Sequence, residues 1–231
     1  MTYLPYILDR DLISAVQRVI DTFSKSLGKS ETEIHKNIID PFSAIFDASF
    51  YEISLEEWLH IERVRQVQKS VQNKIGDFHE DILGHAHGWE KVSQGIDIRS
   101  SSKKIIAEIK NKHNTVKGSD KVGIYDFLAE RLQSEYEGFT AYYVEIIPSS
   151  KEPYDIPFTP SDRASQSKRS ANEKIRQISG QAFYKLVTGQ DNAIEMLFSV
   201  IPDVIFDIIG KRISKEMEQE YRKLFSLAFH I

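Results

Sequence analysis

The stretch GIDIRSSSKKIIAEIKNKHNTVKG, Gly95 to Gly118, reads as a strand, a polar turn and a second strand. Ile96-Asp97-Ile98 alternates apolar and polar, Ser100 to Lys104 make the turn, and Ile105 to Lys110 alternates again. Side chains two apart on a strand share a face, so Ile105, Ala107 and Ile109 are expected in the core. Glu108 and Lys110 then stand side by side on the other face, with Asp97 on the hairpin partner. Two carboxylates and a lysine make a compact polar site. Their oxygens suit a hard cation such as Mg2+. The lysine has the right charge for a phosphate, or for the water that attacks one.

Asp97, ten intervening residues, then Glu108-Ile109-Lys110 resembles the PD-(D/E)xK nuclease superfamily. The longer run Glu108 to Thr115, EIKNKHNT, resembles the type II restriction endonucleases of the SinI kind, which cut GGNCC-type DNA sites. Ile96 stands where the superfamily pattern has proline. The resemblance implies an α/β (α+β) restriction-endonuclease-like core, a mixed sheet flanked by helices, with a helical N-terminal part. It implies that Asp97 and Glu108 bind Mg2+, joined by the main-chain carbonyl of Ile109. Lys110 would orient or deprotonate the attacking water. The helix before the hairpin often supplies a further acid in this superfamily, and Glu80, about one turn from that helix's end, is the expected one. The implied partner is double-stranded DNA, cut to leave a 5′-phosphate and a 3′-hydroxyl. A palindromic site implies a homodimer. A cognate DNA methyltransferase would belong to the same system without physical contact.

The chain has 231 residues and no cysteine, which excludes disulfides, thiolate metal sites and a cysteine nucleophile. No apolar run approaches the roughly 20 residues that span a bilayer. The opening MTYLPYILDRD carries acids and no basic n-region, unlike a signal peptide. The expected location is the cytoplasm. Net charge is −4, yet its distribution leaves room for DNA. Met1 to His60 holds five Lys/Arg against ten Asp/Glu, whereas Arg99 to Lys121 holds seven against two and Ser161 to Gln177 five against two. Phosphate contacts need local positive charge, not a basic pI.

One domain, residues 1–231, is expected: a helical part over 1–70, a catalytic core over 71–148, and a recognition loop with C-terminal helices over 149–231. The apolar spacing predicts a helix from Asp11 to about Leu27. Ser30 with Glu33 predicts a second helix, and Asp40-Pro41 a third. Ser54 and Glu57 form a capping box opening a helix over Leu55 to Leu83, broken or kinked near Gly76. His85 and His87 read as a turn in which Trp89 packs. Lys117 to about Tyr136 reads as a helix, and Gly138 to Ile147 as a central strand buried on both faces. Pro148 to Asn172 reads as a long loop, and its basic part with the stretch after it, Ser161 to Gln177, as mobile until DNA orders it. Ile175 to Ile178 reads as a short strand. Helices follow over Gln181–Val187, Asn192–Val200 and Ser214–Phe229, with Pro202 opening or kinking the stretch to Gly210.

A guanine-rich site wants arginine and lysine donors. Arg163, Lys168, Arg169, Lys174, Arg176 and Gln177, in or beside the loop, are the candidate DNA contacts, with Arg176 expected to read a guanine. Asn111, Lys112, Asn114 and Lys117, just past the catalytic strand, are expected to hold phosphates. Two alternatives remain open: a structure-specific or repair nuclease of the same fold, and a DNA-binding protein that does not cut.

Overall fold

The computed structural model describes residues 2–28, 39–150, 152–162 and 166–229. They group into two compact units, Met1–Val16 with Gly76–Ile231, and Gln17–Ile75. The expected helix start at Ser30 and Glu33 lies outside the described residues.

The smaller unit is helical. It takes most of α1 (Asp9–Leu27), all of α2 (Pro41–Tyr51) and the first two-thirds of α3 (Leu55–Gly84). The local signals for α2 and α3 hold. Asp40 caps α2 by accepting from the Phe42 N–H at 3.0 Å, with Pro41 in the first turn. Glu57 accepts from the Ser54 N–H at 2.8 Å while Ser54 Oγ accepts from the Glu57 N–H at 3.2 Å, a reciprocal capping box. The expected break at Gly76 does not occur, and α3 runs through it. One glycine costs a helix only about 1 kcal/mol, which its long flanks absorb.

The larger unit is built on a six-stranded mixed sheet of order β1-β2-β3-β4-β8-β5. β1 (Glu90–Lys91), β2 (Ile98–Ser100) and β3 (Ile105–Lys112) pair antiparallel. β3, β4 (Thr140–Ile147) and β8 (Ile175–Ser179) run parallel, and β5 (Asp155–Pro157) closes the far edge antiparallel to β8. A parallel neighbour needs a crossover. That crossover is α4 (Gly118–Gln133), so hairpin, helix, strand follow in the expected order.

Both faces of the sheet are covered, which explains the near-continuous apolar run of β4. On one face Leu128 of α4 packs with Ile106, Ala141, Tyr143 and Ile175, and Phe158 stacks on Tyr143 at 4.6 Å. On the other, Phe183 of α5 (Gly180–Thr188) meets Tyr142 and Trp89, each at 5.8 Å between rings. Gly180 is required where α5 leaves β8. A Cβ there would stand 2.7 Å from Ile146 Cα and closer still to its carbonyl oxygen.

Three expectations change. Ile106 is buried although it shares a face with Glu108 and Lys110, because α4 covers the start of that face and leaves only its end open to polar groups. The long loop is not structureless. It carries β5 and a small ribbon of β6 (Ser161–Asp162) with β7 (Ser167–Lys168), tied down where the Tyr125 hydroxyl donates to Ser170 O at 2.9 Å. Pro202 does not open a new helix but lies inside α6 (Ala193–Ile209), which joins the two stretches expected on either side of it. The last helix, α7 (Lys215–Phe229), stacks Phe225 on Phe198 at 4.5 Å. Among the described residues no helix is long and apolar enough to cross a membrane.

Candidate functional site

Register puts the polar residues together. Ile98 pairs with Ala107, so Asp97, one place before β2, stands opposite Glu108. The Asp97 N–H donates to Ala107 O at 3.0 Å, and the Asp97 carboxylate accepts from the Ile109 N–H at 2.6 Å. The β2 ladder ends at Ala107. A strand residue directs its N–H and C=O to the same edge, so the Ile109 carbonyl also lies on Asp97's side, beyond the last ladder pair. Lys110 Nζ donates to Glu108 Oε1 at 2.6 Å on the same face. From the end of α3, Glu80 reaches Lys91 Nζ at 3.1 Å, and Asp81 meets the same ammonium at 2.9 Å.

The electrostatics show how crowded this corner is. Burial, then the charge of Glu108, pushes Asp97 up to about 6, against the pull of the Ile109 N–H, Lys110 and Lys91. Burial and the charge of Asp97 raise Glu80, only partly offset by Lys91. Burial alone would lower Lys110, but the charge and hydrogen bond of Glu108, with Asp97 and Glu80 beyond, outweigh it and raise its pKa.

Acids that repel one another beside a main-chain carbonyl are the donor set a hard divalent cation takes. Among the described residues no three carboxylate or imidazole groups already stand at metal-holding spacing. The reason is visible in the pairing: Lys110 holds Glu108, and Lys91 holds Glu80. The residues fit a cation, provided those lysines yield part of their hold. His85 and His87 take no part. His85 Nδ1 bonds Asp81 O at 2.7 Å and the His87 N–H donates to Tyr6 O at 3.1 Å, within the turn that seats Trp89.

Beside this corner lies a group that sequence reasoning missed. Glu145 of β4 pairs in register with Lys110 and is 1 % exposed. Its Oε1 accepts from Lys121 Nζ at 2.6 Å, and its Oε2 from the Tyr154 hydroxyl at 2.5 Å and Gln177 Nε2 at 3.0 Å. The one available signal was a lone acid inside an apolar strand, since a buried charge must be paired. Lys91 was missed as well, because only β1–β2 pairing brings it to Glu80.

The candidate DNA contacts divide. Lys112 shares the face of Glu108 and Lys110, whereas Asn111 alternates to the opposite face, where its Oδ1 is buried without a partner. Asn114 and Lys117 are exposed between β3 and α4, and Lys168 and Lys174 are exposed further on. Arg169 is clamped by Asp126 at 2.8 Å and by Asp162 at 3.1 Å. Arg176 pairs with Tyr142, so it lies on the face away from the corner. Its guanidinium is bonded to Asp155 Oδ1 at 2.5 Å, Asp155 O at 2.8 Å and Glu173 at 2.7 Å. Gln177 is on the site face, engaged with Glu145. Arg163 lies outside the described residues.

Comparison with known proteins decides the family. A sequence profile of the Eco47II restriction endonuclease family matches residues 4–210. The chain belongs to that family. It is 38 % identical over 239 residues to the type II restriction enzyme Eco47II of Escherichia coli, covering 99 % of this chain and 100 % of that one. It is 31 % identical over 220 residues to the type II restriction enzyme Sau96I of Staphylococcus aureus, covering 93 % of this chain and 84 % of the other. Membership of the Eco47II family makes the protein a site-specific deoxyribonuclease, so the alternative of a protein that binds DNA without cutting is set aside.

Proposed function

We propose that this restriction endonuclease hydrolyses double-stranded DNA at a GGNCC-type palindrome, as a homodimer with a PD-(D/E)xK core, using Mg2+ at the Asp97–Glu108–Lys110 corner. The observation that carries the reading is the convergence of Asp97 and Glu108 across the β2–β3 hairpin, with Lys110 beside Glu108. Asp97 and Glu108 would hold the cation, with Glu80 and the Ile109 carbonyl completing the oxygen set. When bound, the cation would supply a Lewis acid for the scissile phosphate and a water of lowered pKa.

The chain's own residues then have separable tasks. The Ile109 N–H fixes one oxygen of Asp97 at 2.6 Å, so its other oxygen has a set direction. Without a cation, the charges of Glu108, Asp97 and Glu80 raise the Lys110 pKa; a cation that takes up those charges would release that hold. Nζ would orient or deprotonate the attacking water and stabilise the charge growing on the phosphate. Lys112, Asn114 and Lys117 flank the corner and would hold the backbone of the cut strand. Lys168 and Lys174 are exposed donors for the DNA. Arg169, Arg176 and Gln177 would join only by exchanging their internal partners, and Arg163 is retained from its charge alone. A methyltransferase protecting the same site would complete the system.

Plasmid incubated with Mg2+ tests this. Discrete bands whose sequenced ends fall within GGNCC-type sites are expected. Discrete bands at another site would keep the enzyme and overturn the specificity. Smearing, or preference for branched substrates, would favour a repair nuclease of the same fold.

A further inference from the structure

Helix α2 is apolar and has no buried residue. Its two sides differ. Pro41, Ala44, Ile45 and Ala48 line a groove completed by Ile39, Leu55, Trp58 and Leu59. Phe42, Ile45, Phe46 and Phe50 fall at i, i+3, i+4 and i+8, one stripe of a helix. These four, with Tyr51 and Leu55, are 64–81 % exposed. At the area such side chains present, the six offer on the order of 800 Å², above the roughly 300–600 Å² of the largest apolar patch on a typical monomer. A standard interface buries about 800 Å² on each partner.

We propose that this face is where a second copy of the chain docks, α2 against α2 about a two-fold axis. A two-fold contact uses the same surface on both copies, so that surface must carry both knob and hole. Here the phenylalanine stripe and the apolar groove lie side by side on one helix. Charge agrees. The stretch 41–51 contains no lysine or arginine to hold a nucleic acid or an anionic lipid surface. Its one charged side chain, Asp47, accepts from Trp58 Nε1 at 3.2 Å. The stripe itself therefore brings no like charges together, with the acids Asp40, Glu52, Glu56 and Glu57 confined to its border. The other apolar candidate, Tyr221, Leu224 and Leu227 on α7, is interleaved with Glu218, Glu220, Arg222 and Lys223.

The inference rests on the homodimer reading above, and the test separates the two. Sedimentation equilibrium is run on the full chain, on the double variant Phe46→Asp/Phe50→Asp, and on Leu227→Asp. The expected result is a dimer for wild type and for Leu227→Asp, and a dissociation constant raised at least ~100-fold in the double variant, the loss of two central anchors. Because both altered side chains are exposed, circular dichroism should be unchanged, and melting should fall only by the stabilisation that association supplies, a difference that shrinks as wild type is diluted. A second measurement does not depend on that. The protein has no cysteine, so Ser49→Cys, in the middle of the stripe, gives each copy one thiol near the axis, and a short bismaleimide should link two chains. A dimeric wild type with a dimeric double variant, or a dimeric Ser49→Cys that does not cross-link, would overturn the α2 interface and leave the homodimer standing. A wild type that is monomeric alone and on cognate DNA would overturn both.

Discussion

Asp97→Asn should make the metal-free protein more stable at neutral pH while destroying its activity. Asp97 ionises at about 6, against 3.8 for an ordinary aspartate, through burial first and the charge of Glu108 second. The folded state thus binds this proton more tightly than the unfolded chain. Its contribution is full below about pH 4 and is lost as pH rises through about 6. Carrying the ionised carboxylate at neutral pH therefore costs the fold on the order of 1–3 kcal/mol, a cost that already includes the help of the Ile109 N–H. Asparagine keeps the shape and can still accept from that N–H. The expectation is a gain of roughly 1–3 kcal/mol, or about 2–12 °C in Tm for a chain of this size.

Melting curves in EDTA at pH 5, 6 and 7.5 would measure it. The variant's advantage should shrink as pH falls through 6, as the wild-type carboxyl takes its proton. Adding Mg2+ should then reverse the order at pH 7.5, because a cation neutralises the wild-type acids and finds one ligand fewer in the variant. If the variant is less stable than wild type at pH 7.5 in EDTA, or the gap does not change with pH, the charge crowding argued for this corner is wrong. If Mg2+ stabilises both equally, Asp97 is not a ligand.

Lys110→Ala should lower cleavage by at least ~100-fold while gel shifts in Ca2+ show cognate binding near wild type; normal turnover would remove Lys110 from the chemistry. Glu145→Gln should cost roughly 2–4 kcal/mol in urea unfolding, because it leaves the Lys121 ammonium without its counter-charge; an unchanged midpoint would mean that water already shares that charge. Arg176→Ala should loosen the β5 edge by about 1 kcal/mol and weaken cognate and scrambled duplexes alike at two salt concentrations. A loss of about 1–3 kcal/mol on the cognate duplex alone would instead show that Arg176 leaves Asp155 and Glu173 to read a guanine.

The parts of this molecule legible in its sequence are those settled within one element or between immediate neighbours. The β2–β3 hairpin is one: period-two alternation on each arm and a polar turn between them put Asp97, Glu108 and Lys110 together without reference to the rest of the chain. The Ser54/Glu57 capping box and the Asp40-Pro41 start are others, since their donors and acceptors lie within three residues. What escaped was settled by pairing between distant strands. Parity along a strand says which residues share a face, but not which face that is in the sheet. Gln177 and Arg176 are equally polar and adjacent, and nothing local separates them. The pairing of β8 with β4 turns Gln177 toward the corner and Arg176 away from it. The same pairing makes sense of Glu145. Within Ala141–Ile147 it reads as a blemish in an apolar run. Placed between Lys110 on one side and Ser179 on the other, under Lys121 of α4, it is the counter-charge that lets a lysine approach the covered face. The Asp97–Glu108–Lys110 corner is therefore a local design, while the residues that brace it come from β1, α4, β4, the loop and β8. Substitutions in the first group should act on chemistry with little cost in stability, and those in the second on both.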